Sequence, residues 1–152
     1  MYKKILLPLD GSQRAEEILD PVEKLAKAYQ AKVLLLQVVE EPFMLGYDEV
    51  VDVSTRHQQN RRRNHIESYL SGIEKRFQEK GIATKHYIAY GSVVGSLLII
   101  AEKDDVDLIA LASHGLDGSY QNMCRSVAAC LLQRSNYPIM VIRHYNKEAI
   151  GH

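Results

Sequence analysis

The sequence contains no tryptophan, only two phenylalanines and only two cysteines. It has no net charge, no long apolar run and no glycine- or proline-rich tract. Each absence excludes something. Cys124 and Cys130 are too few for the disulfide framework of a small secreted domain. Their spacing matches no zinc or redox motif, so they read as reduced thiols on or near a helix. No apolar stretch reaches the roughly 18 residues that cross a bilayer. The N-terminal apolar run is too short for a signal peptide and contains Pro8. A cytoplasmic chain with no membrane partner is the expectation. Lys plus Arg number 19 and Asp plus Glu number 19. That balance argues against nucleic-acid binding, which needs a basic excess, and leaves little electrostatic barrier to self-association.

Chemical motifs are also scarce. The six histidines are scattered, with no pair at a metal-ligand spacing beside a carboxylate, so no metal site is expected. There is no Walker phosphate loop, no Rossmann glycine triplet and no G-x-S-x-G elbow. No catalytic residue is assigned, and the chain reads as a binding module rather than an enzyme. Arg61-Arg62-Arg63 lies on a helix, where consecutive residues point in different directions, and reads as a solvated face.

What the sequence does hold is alternation. With 152 residues it has the size of one domain. Lys3 to Leu9, Lys32 to Val39, Thr84 to Tyr90, Val106 to Ala112 and Ile139 to Ile142 read as strands. Between them lie helical patterns. Ser12 is the expected N-cap of the first, with Glu16 and Glu17 in its opening turn. Pro21 is expected to kink or break that helix near Asp20. A second helix runs from about Ser54 to Lys80, with Ile66, Tyr69, Leu70, Ile73 and Phe77 as its buried stripe and Gly81 as its stop. A third opens at Gly91-Ser92, and a fourth spans Ser126 to Arg134. Glu40 to Val53 is a long connection. Strands alternating with helices imply an α/β fold, a mostly parallel open sheet with helices on both faces. The third strand alternates polar and apolar residues and suits a sheet edge. Residues 1–144 are read as one domain and 145–152 as a frayed tail.

In such sheets ligands sit beyond the carboxyl ends of the strands. The first strand, Ile5-Leu6-Leu7-Pro8-Leu9, ends in Asp10-Gly11-Ser12. The fourth ends in Ser113-His114-Gly115, and Arg125-Ser126-Val127 opens the last helix. Small residues and a helix start there can present backbone amides to a phosphate. Read locally, Asp10-Gly11-Ser12 is also an ordinary strand-to-helix turn, Ser126 an N-cap, and Gly115 and Gly118 turn glycines.

These runs, together with Leu35-Leu36-Gln37-Val38-Val39, Arg125-Ser126-Val127-Ala128 and Tyr137-Pro138-Ile139-Met140-Val141-Ile142-Arg143, resemble the universal stress protein family over nearly the whole chain. The resemblance implies a five-stranded parallel sheet with the first and fourth strands as central neighbours. It implies a stress-response or signalling module that binds ATP, with Mg2+, in the crevice between those strands. Asp10 would hold the ribose, backbone at Pro8 and Val38 the adenine, and the turn from Ala112 to Gly115 with Arg125, Ser126 and Val127 the phosphates. ATP-binding members carry glycine at the positions of Ala112, Gly115 and Arg125. Here only Gly115 and the Ser126 hydroxyl keep that pattern. Arg125 either occludes the anion site or grips a phosphate bidentately, and the expected binding is weak. Asp117 adds a negative charge to the loop.

Two further readings stand beside this one. The first is a homodimeric regulatory protein that binds no nucleotide because Ala112 and Arg125 degrade the motif. Its copies would pair through Ile139–Ile142, and its protein partner is unknown. The second is slow nucleotide hydrolysis with His114 as the base. A response-regulator receiver is set aside, because Asp10 lacks an acidic neighbour and the third strand ends in Tyr90-Gly91 rather than in aspartate.

Overall fold

A computed structural model describes residues 1–12, 16–40, 53–113 and 127–143, the side chains of 53–55 and 113 excepted. The strands are β1 (Lys4–Pro8), β2 (Lys32–Val39), β3 (Thr84–Tyr90), β4 (Leu108–Ser113) and β5 (Ile139–Arg143). The helices between them are α1 (Leu19–Tyr29), α2 (Val53–Glu79), α3 (Val93–Lys103) and α4 (Val127–Arg134). The strands form one five-stranded sheet in the order β3-β2-β1-β4-β5, and every pairing is parallel.

The apolar runs are continuous because both faces of the sheet are covered. On one face Ile5, Leu7, Val33 and Leu35 pack with Val22 and Ala26 of α1 and Leu70, Ile73 and Phe77 of α2. On the other, Leu6, Leu34, Leu36, Ile109 and Leu111 pack with Leu97, Ile100 and Ala101 of α3 and Leu131 of α4. Successive residues of β1 and β2 thus enter opposite cores, which an alternating half-polar strand could not do. The third strand lies at the edge, as its pattern predicts. No helix among the described residues is long and apolar enough to cross a membrane.

Local chemistry explains the boundaries. Gly81 follows α2 with φ at +80°, a conformation that glycine adopts without strain. Ser92 caps α3, its hydroxyl accepting from the Gly95 amide at 3.1 Å. Asp107 falls just before β4 rather than within it. Its Oδ2 accepts from the Lys3 and Lys4 amides at 2.7 and 2.8 Å, which ties the start of β4 to β1.

Residues 13–15, which Ser12 was expected to cap, lie outside the described residues. Glu16 is helical, Glu17 and Ile18 form a turn, and α1 begins at Leu19 with Ile18 at the N-cap and no side-chain cap. Pro21 lies in the first turn of α1, where a helix has no use for the missing amide hydrogen, so the interruption expected near Asp20 falls just before it. One expectation needs correction. Cys130 is disulfide-bonded rather than a reduced thiol. A spacing that fits no metal motif does not bar a disulfide, which depends on Cα separation and Cβ direction. Cys124 lies outside the described residues.

Candidate functional site

The strand order reverses between β1 and β4: β2 and β3 lie to one side of β1, and β4 and β5 to the other. That is the topological switch point, where connections leave in opposite directions and open a crevice. The β1–β4 ladder pairs Ile5 with Leu108 and Leu6 with Ile109, yet β1 continues to Pro8 and β4 to Ser113. Both strands run on past their last paired residues, toward the end where the expected site residues lie.

Pro8 closes β1 opposite Leu36 of β2. The Leu9 amide donates to the Leu36 carbonyl at 2.8 Å, which holds the next residue at the mouth of the sheet. Asp10 is exposed there. Its Oδ1 accepts from the Ser12 amide at 2.8 Å and from the Ser12 hydroxyl at 2.5 Å, an Asx-type turn. Gly11 between them has φ at +83°, so a residue with a Cβ would be strained there. Ser12 thus serves the turn that presents Asp10.

Val38 is half-buried in β2, paired with Ala89 of β3. Ala112 is half-buried near the end of β4, paired with Ile142 of β5. Val127, half-buried, is the first residue of α4. The structure therefore places Pro8, Asp10, Val38 and Ala112 at or near the carboxyl end of adjacent strands. Gly115, Arg125 and Ser126, with His114 and Asp117, lie outside the described residues.

Sequence reasoning missed two neighbours of Asp10. Gln37 precedes Val38 and, by strand alternation, shares the face of Leu35 and Val39. Its amide nitrogen lies 3.9 Å from where a Cβ on Gly11 would stand. Its Oε1 is shielded from solvent and accepts no hydrogen bond. Tyr69 of α2 packs against the same core, and its hydroxyl is likewise shielded and unpartnered. Burial, with the negative charges of Glu16 and Asp10, pushes the Tyr69 hydroxyl up to about 12. It keeps its proton at neutral pH and remains a donor. A polar residue inside an otherwise apolar strand was the available signal for Gln37. Tyr69 carried none, since its position also fits a core stripe.

The comparisons follow this geometry. The model of the universal stress protein family matches residues 1–143. Universal stress protein MJ0577 of Methanocaldococcus jannaschii is 28% identical over 158 residues, covering 96% of this chain and 98% of its own. Its solved structure aligns with a TM-score of 0.77 over 97% of this chain and 99% of that one. A universal stress protein solved in complex with cAMP shares the fold, with a TM-score of 0.70 at 18% identity, covering 93% of this chain and 97% of that one. The universal stress protein of Archaeoglobus fulgidus in complex with dAMP does too, with a TM-score of 0.59 at 16% identity, covering 93% and 98%. With a sheet that switches direction between β1 and β4, and a family match that runs from the first residue through β5, the chain belongs to the universal stress protein family.

Proposed function

We propose that this domain binds an adenine nucleotide, ATP with Mg2+, in the crevice between β1 and β4, and acts as a cytoplasmic stress-response module rather than as a catalyst. The observation that carries the reading is the Asp10 turn. It sets an exposed carboxylate at the end of β1, beside the strand that leads into the expected phosphate loop. A carboxylate accepts well from a ribose diol. Support comes also from two family members solved with cAMP and dAMP. Arg125, in place of a glycine, makes the expected affinity weak.

Calorimetric titration with ATP and Mg2+ tests the reading. Saturable binding is expected at up to about millimolar nucleotide, weakened about tenfold or more in Asp10→Ala. Folded protein that shows no saturable binding refutes it. Arg125→Gly separates the two roles of that residue: tighter binding identifies a plug, and lost binding a phosphate ligand.

A second reading, a homodimer that binds no nucleotide, is favoured by β5. This edge strand is paired on one side only, and its Val141 is 43% exposed. An open apolar edge invites a partner strand. Sedimentation should then show a dimer that Val141→Lys converts to a monomer. A wild-type monomer at high concentration removes this reading.

A further inference from the structure

The corner beside Asp10 is rich in acceptors. Gln37 Oε1 accepts from nothing, and the Tyr69 hydroxyl neither donates nor accepts. The charges of Asp10 and Glu16 both bear on the Tyr69 hydroxyl. The Gln37 amide nitrogen lies beside the same turn, 3.9 Å from where a Cβ on Gly11 would stand. Buried polar groups are nearly always paired, because an unmade hydrogen bond in a dry site is not compensated by water. Two such atoms, one on β2 and one on α2, beside a ligand-type carboxylate, are better explained by a donor that arrives with the ligand. The required chemistry is narrow. A phosphate is excluded from a corner with two carboxylates and a carbonyl oxygen, whereas a group bearing hydroxyl hydrogens satisfies both orphans.

We propose that Gln37 and Tyr69 form a hydroxyl-reading corner beside Asp10 that makes this protein selective for nucleotides with an intact ribose diol. The inference rests on the nucleotide reading above and deepens it. Selectivity of this kind would come from this chain's own side chains, since the Archaeoglobus fulgidus family member is solved with a 2′-deoxynucleotide. A site that holds a hydroxyl discriminates strongly against the analogue lacking it, because its own polar groups are then left unpaired.

The test compares ATP, 2′-deoxy-ATP and 3′-deoxy-ATP on wild type, Gln37→Leu and Tyr69→Phe, by calorimetry on the full chain. Wild type should bind at least one deoxy analogue about tenfold more weakly than ATP. That penalty should shrink to about twofold or less in one or both variants. Melting of the nucleotide-free proteins supplies a second readout. Tyr69→Phe removes an unpartnered hydroxyl, so its melting temperature should hold or rise while ATP affinity falls. A hydroxyl with a purely structural role would lower the melting temperature instead. Equal affinity of wild type for all three nucleotides, or a penalty that survives in both variants, overturns the corner and leaves the nucleotide reading standing. Absence of ATP binding to folded wild type removes both.

Discussion

His86 gives the most direct test of the electrostatics. It lies on edge strand β3 between two carboxylates of α2: its Nδ1 is hydrogen-bonded to Glu74, and its Nε2 lies 2.6 Å from Glu67 Oε1. Carboxylates only accept, and a neutral imidazole has a single N–H, so serving both partners requires the imidazolium. The residues flanking His86 in β3, Lys85 and Tyr87, point to the opposite side by alternation, and its β2 partner is the buried Leu35. Burial pulls the His86 pKa down, but the hydrogen bonds and charges of Glu74 and Glu67 outweigh it and raise the pKa above the ordinary value. The sign follows. A folded-state pKa above the unfolded one stabilises fully below about pH 6.5, and that stabilisation is lost as pH rises through the folded value.

The magnitude comes from exposure. The His86 and Glu74 side chains are 19% and 23% exposed, so their charged hydrogen bond contributes about 1.5 kcal/mol. Glu67 is 51% exposed, and water screens its share to about 0.5 kcal/mol. Replacing His86 by glutamine should therefore cost about 2 kcal/mol at about pH 5.5, a fall in melting temperature of about 4–8 °C for a chain of this size. At alkaline pH, above the folded-state value, the difference should largely close. Thermal unfolding followed by circular dichroism at both pH values reads this out, and NMR titration of the His86 ring gives the pKa itself. A melting difference independent of pH, or a ring that titrates below about pH 6.5, refutes the clamp.

Two other networks yield predictions. Glu23 of α1 is buried and takes Lys80 on both oxygens at 2.8 Å, with Lys27 at 3.4 Å and Arg76 at 3.5 Å. Lys80→Met should cost about 2 kcal/mol by urea unfolding, because it strands a buried carboxylate on weaker partners, whereas Glu23→Met should cost less, since Lys80 relaxes into water. The Lys80 hydrogen bond holds the Glu23 carboxyl below its usual range despite burial. This contribution is present above about pH 4.3 and lost as pH falls through the folded value, so wild type and Lys80→Met should converge in acid. At Gly95 a Cβ would stand 2.6 Å from the Ser92 hydroxyl. Gly95→Ala should therefore gain about 1 kcal/mol of helix propensity and lose a similar amount of capping, for little net change in melting. In a Ser92→Ala background the same substitution should stabilise by about 1 kcal/mol, and a gain of that size in wild type would contradict the clash.

The sheet was legible because its strands obey one rule each. β2 and β3 begin and end where their sequence patterns do, and the polar residues Lys85 and His86 identified an edge. Strand order required the family resemblance, since periodicity carries no information about which strands adjoin. The interruption before α1 was legible from Pro21, which a helix tolerates only in its first turn. Asp107 sat within an apolar run and read as strand, although its carboxylate works as a tie to β1. At the candidate site, Pro8, Asp10 and Val38 were found from the motif. Gln37 and Tyr69 were not, because an unpaired polar atom becomes visible only when three segments are folded onto one another. Glu67 and Glu74, two helical turns apart, form a pair only once β3 brings His86 between them.

The two borders of the sheet are unlike. β3 carries Lys85 and His86 along its length and is guarded by the carboxylates of α2, whereas β5 offers Val141 to water. A fibre needs an open edge on each side of every unit. A second copy that added at β5 by a two-fold axis would consume that edge and leave the two β3 rims, with Lys85 and His86, outward, so strand-to-strand growth would end after a single step.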